Sequence, residues 1–307
     1  MDVKKIMMSK NGLATLSLAK EFIKYPIGSK IPTVSELSKD LELSRGTLQN
    51  SLKLLTDNKA IKIRSKGHMG SYLIHKNIRL LLQFADITSL LGTMPLPYSK
   101  KYEGFASGLI VAMENIYDIP TNMAYMRGAK NRISMLMTNR YDYAIVSHFA
   151  AKEYLKKYQN ICIIKNFGAH SYLSEHVLIF NNYNSNEIVD GMRVGVDFDS
   201  IDHRELTEDV CQGKKVNYIP IEYSQILKSV VSGEIDAAVW NKDEIDDKTI
   251  KVNYKELKHY GGDYCEAVMV VSKERLEIAA LLQEIVDVEV VLNIQRLVEQ
   301  GKITPSY

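Results

Sequence analysis

Residues Ile31 to Leu55 hold two short amphipathic helical patterns separated by a tight turn. Thr33 is a good N-cap, and Glu36 three residues on completes a capping box, which predicts a helix with Val34, Leu37 and Leu41 facing inward. Ser44 caps the next helix, whose expected buried face is Leu48, Leu52, Leu54 and Leu55. Ahead of this pair, Asn11 can cap a helix carrying Leu13, Leu16, Leu18, Ala19, Phe22 and Ile23 near helical spacing, and Tyr25-Pro26 stops it. Behind it, Ile61 and Ile63 alternate with Lys62 and Arg64, and Tyr72 and Ile74 return on a second strand. Gly67 and Gly70 let the tip turn. A helix pair followed by a basic hairpin is the order that a winged helix-turn-helix needs to lay one helix in the major groove of DNA.

Charge is distributed to match. The first 76 residues hold 14 Lys and Arg against 6 Asp and Glu, whereas the rest of the chain holds 25 against 31. A small basic module on a mildly acidic body fits a nucleic-acid binder that carries a separate domain. The candidate DNA contacts are Thr33, the first turns of the second helix (Arg45, Gly46, Thr47, Gln49 and Asn50) and the hairpin residues Lys62, Arg64, Lys66, Gly67 and His68. Arg suits guanine edges, Gln and Asn suit adenine, and a basic wing suits phosphates. The expected partners are a double-stranded DNA operator and a small-molecule effector.

A length of 307 residues is too great for one ordinary core. The expected domains are 1–76 and 77–307. Cys162, Cys211 and Cys265 have neither CxxC spacing nor a disulfide pattern, so buried thiols in a reducing compartment are expected. No secretory signal and no apolar run of membrane-spanning length are evident, so a cytoplasmic protein with no membrane partner is expected.

Beyond Asn77 strands alternate with helices. Ile78 to Ile87 reads as a doubly buried strand, and a turn segment from Leu91 leads to a helix beginning near Ser99. Further strands are expected at Asn122–Met126, Tyr141–Ser147, Ile161–Lys165 and His176–Phe180, with a helix at Ala129–Thr138. A second set follows: strands at Arg193–Asp197, Val216–Ile221 and Ile235–Trp240, and helices from Ser200 and Tyr223. A returning strand, Glu266–Val271, precedes a long helical tail from Lys273 to Gln300. The fold class is therefore α/β, an N-terminal winged helix-turn-helix plus two α/β lobes around a cleft, lobe I at about 77–180 and 250–307 and lobe II at about 181–249.

In such sheets ligands sit outside the carboxyl ends of strands, where helix N-termini present N–H groups. The candidate ligand contacts are Thr93, Met94 and Tyr98, then Arg127 and Gly128, Ser147 and His148, Asp197 and Ser200, and Trp240 and Asn241. Arg127 is the expected partner of a carboxylate or phosphate. His170, Glu175 and His176, and likewise Asp197, Asp199, Asp202 and His203, match no metal-ligand spacing. No P-loop, nucleophile elbow or HExxH is present, so neither a catalytic residue, a metal nor a cofactor is expected, and a non-enzyme is expected. The alternative is a two-lobed metabolite-processing enzyme with an appended DNA-binding module.

Three resemblances sharpen these expectations. Ile31, Pro32, Thr33, Leu37, Ser44, Arg45, Thr47, Leu48, Gly67, Gly70 and Tyr72 resemble the winged helix of GntR-type regulators. Gln49 and Ser35 stand where that family often has Arg, which implies fewer phosphate anchors and a different operator preference. The two-lobed body is similar to type 2 periplasmic binding proteins and LysR-type effector domains. Met94–Tyr98, Tyr102–Leu109, Met126–Ala129, Tyr141–Ser147, Glu266–Val268 and Pro305–Tyr307 resemble the YhfZ family, over nearly the whole chain. The resemblance implies a regulator, with a cleft sensing a small metabolite. A homodimer is expected, because palindromic half-sites mirror two-fold symmetry.

Overall fold

Helix starts fall where side chains can cap them in the computed structural model, which describes residues 8–115, 117–245, 252–257 and 262–307. Helices α1 (Lys10–Lys24), α2 (Val34–Asp40) and α3 (Arg45–Asp57) are capped by Ser9, Thr33 and Ser44. The capping box forms in full: Thr33 Oγ1 accepts from Glu36 N at 3.3 Å, and Glu36 Oε2 accepts from Thr33 N at 2.6 Å. Ser9 takes the capping role expected of Asn11, since its hydroxyl accepts from Gly12 N. On α3, Leu54 is exposed, contrary to expectation. Ser51 occupies the buried position instead and meets Thr15 Oγ1 at 3.1 Å. Strands β1 (Lys30–Ile31), β2 (Ile61–Ser65) and β3 (Ser71–Lys76) form an antiparallel sheet in the order β1-β3-β2, with a short turn at Gly67–Met69 as the wing tip.

The run expected as a buried strand after Asn77 is helix α4 (Ile78–Phe84). The Asn77 side chain accepts from Leu80 N and starts the helix. Only one face is covered: Leu81 and Leu82 are buried while Arg79 and Gln83 are exposed. The long C-terminal helix expected from the sequence is two helices, α10 (Leu276–Ile285) and α11 (Val288–Glu299). Asp287 divides them by accepting from Glu289 N at 2.8 Å, which caps α11 afresh. α10 packs against α1, where Lys20 meets Glu277 at 3.6 Å. Buried Lys76 donates to Ile23 O, Tyr25 O and Glu284 Oε2, at 3.1, 3.0 and 2.6 Å. This first compact unit runs to Leu90 and takes in Tyr117–Pro120 and Arg275–Ile285.

The second unit holds two five-stranded sheets. One has β4 (Leu90–Met94), β5 (Thr121–Tyr125), β6 (Tyr143–Ser147), β7 (Ile161–Asn166) and β13 (Ala267–Ser272), in the order β5-β4-β6-β13-β7. The other has β8 (His176–Phe180), β9 (Arg193–Val196), β10 (Asn217–Pro220), β11 (Ala237–Asn241) and β12 (Asn253–Glu256), in the order β10-β9-β11-β8-β12. Every residue of β6, β11 and β13 is buried, as suits central strands covered on both faces. The segment from Leu91 expected as a turn is β4, parallel to β6.

Sheet membership redraws the lobes. β8 and β12, expected in lobe I, both pair in the second sheet. The chain therefore leaves the first sheet over residues 167–175 and returns to it at β13. The two crossings are stitched together: Tyr172 N donates to Cys265 O at 2.9 Å, and Ala267 N donates to Ser171 Oγ at 2.9 Å. Helices α5 (Lys100–Ile110), α6 (Ala129–Met137) and α7 (His148–Lys157) belong to the first lobe, α8 (Ile201–Val210) and α9 (Tyr223–Ser232) to the second. α11 lies so close to α5 that a Cβ on Gly108 would stand 2.5 Å from Val291 O.

Candidate functional site

In the N-terminal unit, Arg45, Gly46, Gln49 and Asn50 are exposed on α3, and among the described residues the side chains of Arg45, Gln49 and Asn50 make no hydrogen bond or ion pair. Thr33 and Thr47 differ. The Thr33 hydroxyl is engaged by the cap, and half-buried Thr47 meets the Ser44 hydroxyl at 2.7 Å. Lys62, Arg64, Lys66, Gly67 and His68 are exposed along the wing. Lys66 lies 4.4 Å above the Tyr72 ring, which holds its stem along the hairpin. No carboxylate neutralises these wing cations within the described residues, so their field faces solvent.

In the second unit, a cleft of about 790 Å³, open mouth included, lies between the lobes. Its first-lobe wall is built by the loop after β4 and the start of α6. Gly128 has φ +70° and no side chain caps α6, so the first N–H groups of this helix meet the cleft without a cap. From the next turn of α6 comes Arg132, only 3 % exposed. Its guanidinium donates to Met126 O at 2.6 Å and to the Tyr172 hydroxyl at 3.1 Å. Its Nε has no partner, and among the described residues no carboxylate comes within ion-pair distance. A buried guanidinium stays charged, and an unpaired buried charge costs several kcal/mol.

The opposite wall comes from α8, α9 and the end of β11. Glu244 Oε1 accepts from the Tyr223 hydroxyl and from Asn241 Nδ2, each at 3.2 Å. Burial pushes its carboxyl up to about 7, although these two hydrogen bonds pull the other way. Asp202 is pushed up to about 6 by burial, opposed by the Ser147 hydrogen bond and the Arg132 charge. His203 is held neutral by burial. Its Nδ1 accepts from Asp197 N at 3.1 Å and its Nε2 donates to Val239 O at 2.9 Å, which fixes one tautomer. Burial lowers His176, which lines the cleft, to about 3, and its Nδ1 is buried without a hydrogen-bond partner.

Tyrosine rings complete the enclosure. Tyr223 stacks on Trp240 at 4.3 Å, Tyr264 stacks on Phe149 at 4.3 Å, and Tyr102 meets Tyr172 edge-on at 5.4 Å. Burial pushes the Tyr102 and Tyr223 hydroxyls well above the ordinary phenol range, so these rings stay neutral.

Of the residues expected from strand ends, Tyr98, Arg127, Gly128, Asp197 and Ser200 line this cleft. Arg127, the expected partner of a carboxylate or phosphate, is not buried. It is half exposed and pairs across the lobes with Glu222 at 2.7 Å. Thr93 and Met94 are buried in β4 behind the lining residues, and Trp240 lies beneath Tyr223. Asn241 is buried and orients Glu244. Ser147 caps α7 and donates to Asp202 Oδ1 at 2.6 Å, joining the lobes. His148 stands outside the cleft with Glu266 at 2.5 Å and Asp263 at 3.3 Å. Their ligand atoms lie within 4.8 Å of one another, but Lys152 already neutralises Asp263. Arg132, Glu244, Tyr102, Tyr172 and Tyr264 were missed by the strand-end rule. The three thiols offer no activated nucleophile, because burial raises each, Cys265 to about 12.

Comparison with known proteins places this geometry. Residues 77–307 match the family model described as the YhfZ C-terminal domain, and residues 26–73 match a helix-turn-helix domain model. The uncharacterized protein YhfZ of Escherichia coli strain K12 is 32% identical over 310 residues, covering 99% of this chain and 100% of that protein. The crystal structure of YhfZ from Shigella flexneri is 34% identical, with a TM-score of 0.61 over 75% of this chain and 97% of that one. The alkanesulfonate-binding protein SsuA from Xanthomonas axonopodis pv. citri, only 10% identical, shares the two-lobed fold with a TM-score of 0.53 over 70% of this chain and 75% of its own.

Proposed function

The chain belongs to the YhfZ family, and from that premise we propose that it is a transcriptional regulator whose DNA affinity is set by a small anionic metabolite bound between the lobes. The observation that carries this reading is Arg132. A guanidinium 3 % exposed, with Nε unpartnered and no carboxylate at ion-pair distance, faces the cleft beside the uncapped start of α6. An anion placed there pairs the charge and takes the helix N–H groups.

The DNA half of the reading rests on the exposed side chains of α3 and the unneutralised wing. The regulator acts as a homodimer on a two-fold-related operator in the cytoplasm, and it performs no catalysis. The ligand changes DNA affinity only by as much as it prefers one arrangement of the protein over the other.

The test is a duplex selected from random sequence by the full-length protein, followed by titration in the presence of small carboxylates. At least one acid should shift DNA affinity in the native protein and leave Arg132→Ala unmoved. An equal shift in both would remove Arg132 from the account. Failure to retain any duplex in dilute buffer would remove the DNA-binding role.

A further inference from the structure

Arg132 is answered across the cleft by a second incomplete charge. Glu244 ends the short 3-10 turn Lys242–Glu244 that follows β11 in the second lobe, and it lines the same cavity. Both hydrogen bonds it accepts, from Tyr223 and Asn241, fall on Oε1. Oε2 has no hydrogen-bond partner among the described residues, and no Lys or Arg there lies within ion-pair distance of this carboxylate. Arg132 and Glu244 do not pair with each other, yet Tyr102 lies within electrostatic reach of both. The cavity thus has a guanidinium on one lobe and, on the other, Glu244 with an open Oε2 beside Asp202, whose Oδ1 is already taken by Ser147 and whose carboxyl feels the Arg132 charge.

We infer that the effector is dipolar: a compact molecule with a carboxylate held by Arg132 of the first lobe and an ammonium group held by Glu244 of the second. The inference rests on the anion reading proposed above and adds the second charge. A ligand with an acid group alone leaves a carboxylate facing it from the second lobe. An amine alone leaves the buried guanidinium uncompensated. Only a molecule carrying both completes each partner.

The ring system suits the ammonium end. The Tyr223 ring is fixed by Trp240 beneath it and by its hydroxyl on Glu244, so an ammonium on Oε2 sits against immobilised aromatic rings. The two ends are held by different lobes, so such a ligand is bound completely only when the cleft is closed.

Matched probes separate the two halves of the claim. The full-length protein is titrated calorimetrically with propionate, alanine and 3-aminopropionate, with butyrate, 2-aminobutyrate and 4-aminobutyrate, and with propylamine and butylamine. At least one amino acid should bind about tenfold or more tightly than its acid lacking the amine, the worth of a desolvated ammonium on a carboxylate and rings. In Glu244→Gln, which keeps the Oε1 acceptor, that preference should shrink to about twofold or less while the acid itself still binds. Arg132→Ala should lose both kinds of acid. Circular dichroism and the thermal midpoint establish that each variant is folded.

Equal binding of acids with and without the amine, or a preference that survives Glu244→Gln, would overturn the dipolar inference and leave the anion reading standing. Binding of the amines alone would overturn both, and so would no response to any probe.

Discussion

The fold commits two of the Arg132 donors to Met126 O and the Tyr172 hydroxyl and buries Nε without a hydrogen-bond partner, and a guanidinium cannot shed its charge to escape that cost. Arg132→Ala should therefore abolish the response to acidic ligands, read by calorimetry, whereas Arg127→Ala should weaken it by about threefold at most, because half-exposed Arg127 already pairs with Glu222. The raised carboxyls supply a pH test. Asp202 and Glu244 hold their protons more tightly in the fold than in the unfolded chain, so their contribution is complete below their ordinary pKa values. It is lost as pH rises through about 6 and about 7. Glu244→Gln should raise the urea midpoint near pH 8 and leave it almost unchanged near pH 4, a difference on the order of 2 kcal/mol. A stabilisation equal at both pH values would contradict the assigned burial. Tyr98, Gly128, Asp197 and Ser200 were legible in sequence because strand ends and helix starts are marked by turn and cap residues. Arg132 was not sought, although Ala129, Ile133 and Leu136 put it within the apolar stripe of α6. A charge in such a stripe was the signal. Glu244 had none, since it closes a short 3-10 turn after β11, a place where an acid is ordinarily solvated.

Helix packing in the second unit turns on small residues. Gly104 and Gly108 let α5 approach the backbone of α11, where a Cβ would meet Gln295 O at 2.8 Å and Val291 O at 2.5 Å. The obstacle is backbone, so it cannot yield by a rotamer change. Gly108→Ala should destabilise the protein by about 1–3 kcal/mol despite the better helix propensity of Ala, measured by urea unfolding. A gain in stability would mean that the helices are further apart. At this scale the sequence misled in two instructive places. The leucine run after Asn77 suited a buried strand as well as a buried helix face, and the Asn77 cap decides for the helix. The apolar tail from Lys273 has continuous helical spacing, yet Asp287 stops one helix by capping the next. Both corrections lay in capping residues set inside apolar patterns. The paired helices, the wing and the central strands of both lobes were legible, because their periodicity and caps agree.

For the whole chain, the decisive property is the segregation of charge, with a basic excess in the first 76 residues and an acidic excess beyond. DNA affinity should fall steeply with salt, and replacing Lys62, Arg64 and Lys66 by Ala should lower the slope of log K against log salt by roughly 0.9 for each phosphate that is no longer neutralised. An unchanged slope would mean that other residues hold the phosphates. The chain passes between the two compact units more than once, since the first includes Tyr117–Pro120 and Arg275–Ile285 from within the sequence of the second. That interleaving was hidden in the sequence, where a single boundary near residue 76 accounted for the composition. No helix among the described residues is long and apolar enough to cross a membrane. The most direct test of the central claim is the affinity of the full-length protein for its selected duplex, by fluorescence anisotropy, with and without the low-molecular-mass fraction of a cell extract. The native protein should change its affinity by several-fold while folded Arg132→Ala, binding the same duplex, stays constant; an identical change in both would show that the cleft does not govern DNA binding.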